Sequence, residues 1–214
     1  MDWINDRSVE IPFLLKNLKK GSILDIGSAD AEYISDLFRC IPEDKYILRV
    51  DLRDIEVSDN IKEKYLISDI RKLNSRDIGK FDNVILLSTL EHMGVNEYGK
   101  EQLIGLSKEA IINSQISIFN HCKQFIDNNG RMIITIPCGQ FANGGWIIVY
   151  DREMINLLKR DMKIIDERYY TLNKDKTEYI EILYKDIPEL SLDHKDGKTR
   201  GITICCLAME IRNG

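Results

Sequence analysis

Acidic side chains and a glycine follow short apolar runs in the first third of the sequence. Asp25 and Gly27 lie at the end of the first run, Asp51 ends the second, and Asp69 follows the third. If these runs are parallel strands, their carboxyl ends meet at one edge, where a glycine lets the backbone approach a ligand closely. Asp51 is placed there to accept two hydrogen bonds from a ribose diol. The pattern predicts a site for a nucleotide-like ligand, with Asp69 accepting from an adenine amino group and Ile70 packing on the ring.

The same residues have structural interpretations. An Asp at a strand end is about as often a turn or helix cap, which is the alternative for both Asp51 and Asp69. The dinucleotide pattern G-x-G-x-x-G is absent, since Ala29 and Ala31 occupy the small positions after Gly27. This absence argues against a pyrophosphate cradle, and so against an NAD-dependent oxidoreductase, which we keep as an alternative.

The segment Phe81–Gly99, FDNVILLSTLEHMGVNEYG, carries further polar side chains. Ser88, Glu91 and His92 directly follow a fourth apolar run. Because histidine titrates near neutral pH, His92 is a candidate general base toward a hydroxyl group. The alternative is a histidine that hydrogen-bonds the backbone and shapes the pocket. We expect Glu91 to hold local structure.

Alternating strand-like and helix-like stretches must position these side chains. The apolar runs are nearly continuous, as in strands that helices cover on both faces. Residues 99–127 and 151–159 instead show helical spacing, and we expect Gly130 to end the first helix and Asp151 to cap the second. This alternation predicts an α/β fold. The predicted strands are residues 22–26, 46–51, 64–68, 83–88, 131–137, 162–170 and 201–211.

Composition is that of a globular chain. The 214 residues are 43% hydrophobic and 30% charged, with a formal net charge of -5. Mixed charges argue against general nucleic-acid binding, and no apolar run reaches the roughly 20 residues of a membrane span. The charged N-terminal residues differ from a signal peptide. Five cysteines without paired C-x-x-C spacing predict reduced thiols, and we expect a cytoplasmic protein.

We expect a single domain over residues 1–214, because no repeat or Pro/Gly-rich linker interrupts the chain. The polar segment 172–200 is a candidate substrate-facing insertion, with a solvated connection as the alternative. Trp146 follows the fifth strand and either forms an aromatic wall for a substrate or fills the edge of the core. The sequence leaves the oligomeric state open.

The chain resembles the class I S-adenosylmethionine-dependent methyltransferases over roughly residues 7–210. The shared pattern is an acidic residue and glycine after strand one, acidic residues after strands two and three, and a fourth strand from Phe81-Asp82 to Leu90-Glu91-His92. The resemblance implies a doubly wound, mainly parallel seven-stranded sheet with a reversed last strand, and S-adenosyl-L-methionine as cofactor. With His92 as the candidate catalytic residue, it implies cofactor contacts from Asp25, Gly27, Ala29, Asp51, Asp69, Ile70 and Ser88. Ala29 stands where the family usually has a second glycine.

Some relatives use a Glu-x-x-Glu-His motif to bind a metal. Here Ser88 replaces the first Glu, so only Glu91 and His92 remain. His121 or His194 would have to complete the ligand set from elsewhere. The resemblance therefore implies a site without a metal.

A narrower likeness links Ser88–Gly94, Tyr98-Gly99 and Pro137–Gly139 to small methyltransferases found among sugar and glycan biosynthesis genes. It implies a small-molecule acceptor, specifically a hydroxyl of a sugar or glycan precursor. The alternative from another class is a non-catalytic module that retains the fold.

Overall fold

A mixed eight-stranded sheet organises the chain. The computed structural model describes residues 5–28, 33–54, 62–94, 105–175, 177–187 and 203–212. The strands are β1 (Ile23–Ile26), β2 (Ile47–Asp51), β3 (Glu63–Ile67), β4 (Phe81–Leu87), β5 (Ile126–Cys138), β8 (Met162–Leu172), β9 (Tyr179–Ile182) and β10 (Thr203–Ile211). Their order in the sheet is β3-β2-β1-β4-β5-β10-β8-β9. Strands β1 to β5 are parallel, and β10 runs antiparallel between β5 and β8.

The doubly wound, mainly parallel sheet with a reversed last strand is confirmed. It has one strand more than predicted, because Tyr179–Ile182 folds back on β8 and pairs antiparallel with it. That edge strand belongs to the polar segment 172–200, whose residues 176 and 188–200 lie outside the described chain. A separate ladder joins β6 (Ala142–Asn143) to β7 (Ile148–Val149).

Helices cover both faces of the sheet. One buried cluster packs α1 and α2 on residues such as Ile23 and Ile133, and another packs α4 and α5 on residues such as Leu24 and Ile134. Adjacent strand residues point to opposite faces, so strands such as β1 and β5 contribute to both clusters. The helices are α1 (Arg7–Asn17), α2 (Ile34–Cys40), α3 (Ser75–Ile78), α4 (Lys108–Lys123) and α5 (Arg152–Lys159).

Local capping defines where α4 and α5 begin. Ser107 accepts a hydrogen bond from the Ala110 N–H at 3.2 Å, and Asp151 accepts one from Met154 at 3.0 Å. The predicted Asp151 cap is therefore confirmed. All five cysteines are free. Among the described residues, no helix has both the length and the apolar character needed to cross a membrane.

The prediction for Gly130 was wrong. Helix α4 ends at Lys123, and β5 begins at Ile126, so Gly130 lies inside a strand instead of in a left-handed helix cap. The pairing of β4 with β5 shifts register between Phe81 and Asn83, and the extra residues of β5 crowd against β4 there. A Cβ at position 130 would lie 2.7 Å from the Phe81 carbonyl oxygen and 2.8 Å from Ile126 Cγ2.

Gly130→Ala should destabilise the protein by about 1 to 3 kcal/mol, the range for overpacking a close contact. Gly79→Ala is the comparison, because a Cβ there meets nothing within 4 Å and only the left-handed φ of 88° opposes it. With a ψ of -170° this backbone is one that only glycine readily adopts, so Gly79→Ala measures a backbone cost of about 1 to 3 kcal/mol without crowding. Urea unfolding measures both, and an unchanged free energy of unfolding for Gly130→Ala would contradict the crowding.

Candidate functional site

Two turns meet at the carboxyl edge of the parallel strands. Gly27, directly after β1, has a φ of 74° and donates its N–H to the Val50 carbonyl at 2.8 Å. A Cβ on Gly27 would lie 2.2 Å from Thr89 Cγ2, in the turn after β4. Backbone conformation and lack of space therefore both require glycine at this position. Thr89 is a neighbour that sequence reasoning missed, and the approach of the Gly27 backbone to a ligand stays a prediction.

Asp25 lies on β1, two residues before Gly27, and is completely buried. Its carboxylate accepts hydrogen bonds from the Tyr33 hydroxyl at 3.1 and 3.3 Å. Burial raises the pKa of Asp25 to about 7, although the charge of Arg49 and the Tyr33 hydrogen bond oppose this shift. Asp25 is thus a carboxyl group that takes up a proton near neutral pH.

A buried ion pair supports the neighbouring strand ends. Arg49 on β2 contacts Glu63 at the start of β3, with 2.6 Å between Nη1 and Oε1, and both side chains are buried. Arg49 also donates to the hydroxyl and the carbonyl of Ser28 in the turn after β1. The guanidinium therefore ties that turn to β2 and β3.

Asp51 ends β2, as predicted, and is 7% exposed. Its Oδ1 accepts the Arg53 N–H at 2.9 Å, and the Arg53 guanidinium lies 3.3 Å away. Arg53 Nη2 also donates to Asp51 Oδ2 at 3.5 Å, so Arg53 contacts both oxygens of the carboxylate. The next residue, Leu52, is 49% exposed and offers an apolar surface beside the carboxylate.

Asp69 has the capping role that was its alternative interpretation. It accepts the Arg71 N–H at 3.0 Å and caps the short 3-10 helix Ile70–Lys72. Burial opposes ionisation of Asp69, but the hydrogen bonds from the Arg71 side chain and backbone outweigh it and lower the pKa. Ile70 is buried in the cluster beneath α4 and α5. Ala29 lies outside the described residues.

Ser88 has an unusual backbone for a residue with a side chain, with a φ of 46°. Its N–H donates to Thr135 Oγ1 at 2.9 Å, and its own hydroxyl donates to Glu10 Oε1 at 2.6 Å. The Ser88 side chain is therefore directed toward α1.

Glu91 is 2% exposed, and its Oε2 has no hydrogen-bond partner among the described residues. Burial raises the pKa of Glu91 well above its usual value, and the charge of Glu10 adds to the effect. Burying an unpaired carboxylate costs several kcal/mol, so this group retains its proton to a higher pH than an exposed Glu.

His92 is held against the loop after β5. Its Nδ1 lies 2.7 Å from the Trp146 carbonyl oxygen, and the two rings stack with centroids 5.6 Å apart. Because a carbonyl only accepts, Nδ1 carries a proton and Nε2 is the basic nitrogen of the neutral ring. His92 Nε2 is 4.0 Å from Glu91 Oε1.

No group of three His, Cys, Asp or Glu side chains suited to a metal occurs in the described part of the chain. His121 lies on α4 and donates from Nε2 to the carbonyls of Ile70 and Leu73 at 3.0 and 2.9 Å. It thus braces the 3-10 helix after β3. His194 lies outside the described residues.

Sequence comparison finds no matching protein-family model and no matching curated protein. Solved structures do match. The N-methyltransferase NodS of Bradyrhizobium japonicum, in complex with S-adenosyl-L-homocysteine, aligns with a TM-score of 0.61 at 9% identity, over 99% of this chain and 90% of that one.

Two further solved structures share the fold. The 1,6-didemethyltoxoflavin-N1-methyltransferase of Burkholderia thailandensis aligns with a TM-score of 0.60 at 12% identity, over 97% of this chain and 80% of that one. An S-adenosylmethionine-dependent methyltransferase of Clostridium acetobutylicum gives 0.56 at 12% identity, over 98% and 93%. The chain therefore has the Rossmann-like fold of the class I methyltransferases.

Asp25→Asn should change how stability depends on pH. Between about pH 4 and 7 the folded protein keeps the Asp25 proton that the unfolded chain loses, so the stability of the wild type falls as pH rises through this window. The Asn variant lacks this loss and can still accept from Tyr33. At pH 8 it should be more stable than the wild type by up to about 4 kcal/mol.

The measurement is urea unfolding of both proteins at pH 5 and pH 8. Asp44→Asn, at an exposed position, is the control and should keep the wild-type pH dependence. If the free energy of unfolding changed equally between pH 5 and pH 8 in wild type and Asp25→Asn, Asp25 would be ionised in the folded protein over this whole range.

Proposed function

We propose that the protein transfers a methyl group from S-adenosyl-L-methionine to a small molecule, and that the acceptor is a hydroxyl of a sugar or glycan precursor. The observation that carries the proposal is the contact of Gly27 with Thr89. It brings the turn after β1, which lies beside Asp51, against the segment that holds His92. Ligands of open α/β sheets bind at this carboxyl edge.

The residues at the edge fit the cofactor. Gly27 places the turn after β1 at this edge, Asp51 can accept from the ribose hydroxyls, and exposed Leu52 can pack on the adenine ring. The buried carboxyl groups of Asp25 and Glu91 suit a cationic ligand, because an opposite charge nearby favours their ionised forms. Bound S-adenosyl-L-methionine would supply an activated methyl group on a sulfonium.

The protein's own task is then to position the acceptor and to remove its proton. Holding two reactants in line accounts for much of the rate in such transfers. His92 is our candidate base, since the Trp146 carbonyl fixes the proton on Nδ1 and leaves Nε2 as the basic nitrogen. Trp146, stacked on the same ring, contributes an aromatic wall. We propose that the reaction needs no metal and takes place in the cytoplasm.

We propose a hydroxyl acceptor on two grounds: His92 as a candidate base, and the sequence likeness to methyltransferases found among sugar and glycan biosynthesis genes. Two of the similar structures are N-methyltransferases by name. An acceptor screen therefore has to distinguish methylation of a hydroxyl from methylation of a nitrogen. The screen uses radiolabelled methyl donor with monosaccharides, nucleotide sugars and amino sugars in excess EDTA. Cofactor binding without any transfer would support the non-catalytic alternative.

Asp51→Ala should weaken binding of S-adenosyl-L-homocysteine by about 1.5 to 3 kcal/mol, the range for hydrogen bonds to a charged group. Arg53→Ala is the matched control, because it removes a neighbour of the carboxylate and leaves the carboxylate itself. Isothermal titration calorimetry measures both affinities, with NAD as a second ligand. Equal affinity of wild type and Asp51→Ala would remove Asp51 from the site, and selective NAD binding would favour the oxidoreductase.

His92→Ala should slow single-turnover methyl transfer at least about 100-fold with nearly unchanged cofactor affinity, because general bases contribute about 10²- to 10⁴-fold. His92→Asn separates the two roles of the ring, since its amide can still donate to the Trp146 carbonyl but has no basic nitrogen. A base predicts that both variants are slow. Restored rates in His92→Asn, or a wild-type rate that does not rise through about pH 6 to 7, would leave His92 a pocket-shaping residue.

A further inference from the structure

We infer that Glu10 on α1 is a positioning residue that sets the conformation of the segment Ser88–His92, and through it the cofactor turn and the candidate base. The inference rests on the proposed function and adds to it a residue outside the sheet. Glu10 is separated in sequence from Ser88 by 78 positions and from Thr135 by 125.

Glu10 is completely buried and uses both carboxylate oxygens. Its Oε1 accepts from the hydroxyls of Ser88 and Thr135, each at 2.6 Å, and its Oε2 accepts from Arg7 Nη1 at 2.8 Å. Ser88 follows β4 and Thr135 lies in β5, so one carboxylate joins α1 to two adjacent strands. We call Glu10, Ser88, Thr135 and Arg7 the α1 clamp.

The α1 clamp holds Ser88, whose backbone conformation is unfavourable for a residue with a side chain. A left-handed conformation costs a residue with a Cβ roughly 1 to 2 kcal/mol, and Ser88 has this conformation with a φ of 46°. The hydrogen bonds to Thr135 and Glu10 oppose that cost. Without them the chain after Leu87 would relax toward ordinary backbone angles.

The backbone conformation of Ser88 sets the positions of the residues that follow it, and two parts of the site depend on those positions. Thr89, the next residue, fills the space beside Gly27. The short 3-10 helix Leu90–His92 then places His92 against Trp146. A change at Ser88 therefore moves the wall of the cofactor turn and the candidate base together.

General anchoring of α1 does not require Glu10. Phe13 and Leu14 are buried against the sheet, and Lys16 and Asn17 contact Asp166 on β8, the lysine at 2.7 Å. A buried charged group is often no more stabilising than an apolar side chain of the same size. We therefore assign the Glu10 carboxylate a role in positioning the hydroxyls of Ser88 and Thr135 and not a role in stabilising the fold.

The test compares Glu10→Gln with Asp166→Asn, which weakens a second polar anchor of α1, at its C-terminal end. In Glu10→Gln an amide N–H must face Arg7 or the two hydroxyls, so the clamp loses a charged acceptor. We expect amide hydrogen exchange over residues 87–93 to rise at least tenfold in Glu10→Gln and to stay at the wild-type rate in Asp166→Asn. This measurement needs neither cofactor nor acceptor.

Affinity for S-adenosyl-L-homocysteine should fall about tenfold to hundredfold in Glu10→Gln, and single-turnover transfer should slow at saturating cofactor. Asp166→Asn should leave both unchanged. Adding Ser88→Gly to Glu10→Gln should recover part of the affinity, because glycine takes the left-handed conformation without strain. A role in stability alone would give no such recovery.

The inference would be overturned if Glu10→Gln kept the wild-type exchange rates, or if it kept the wild-type cofactor affinity and transfer rate. It would also be overturned if Asp166→Asn lost as much affinity and transfer rate as Glu10→Gln. Failure of the wild type to bind S-adenosyl-L-homocysteine would instead overturn the proposed function. The exchange measurement would still decide whether Glu10 holds the segment after β4.

Discussion

The contact between Gly27 and Thr89 is the constraint on which the rest of the site depends. It allows no side chain at position 27 and fixes how closely the turns after β1 and β4 approach. These two strands are neighbours in the sheet, so their turns share one edge. The remaining candidate residues are arranged around that approach: Asp51 on the next strand along, and His92 at the far end of the turn after β4.

The electrostatics of the site are unusual because several carboxyl groups lie inside the protein. Within the described chain, Glu10 accepts from two hydroxyls and a guanidinium, Asp25 accepts from the Tyr33 hydroxyl, and Glu91 leaves one oxygen unpaired. Burial raises the pKa of all three. Such groups reduce stability when ionised, and a site that accepts a cation is one setting in which that cost is offset.

Much of the fold was predictable, because buried strands and covering helices leave apolar patterns in the sequence. The positions of Gly27 and Asp51 at the carboxyl edge followed from their places at the ends of apolar runs that form parallel strands. The predicted end of the first long helix was wrong, since Gly130 serves a close contact between β4 and β5 that local sequence does not reveal. The role of Glu10 could not be predicted, because its partners are 78 and 125 positions away. Asp69 was ambiguous, as a cap and a ligand residue look alike in sequence.

Strand β10 lies between β5 and β8, although it follows both in the chain, and nearly all of its residues are buried. During synthesis β5 and β8 are complete before the strand that pairs with both has been made. Until then each has an unpaired edge of the kind that invites pairing with other chains. Late insertion of an interior strand also means long-range contacts, which form slowly. The nascent protein therefore passes through a stage in which its sheet is open at the centre, and this is the stage at which aggregation competes with folding.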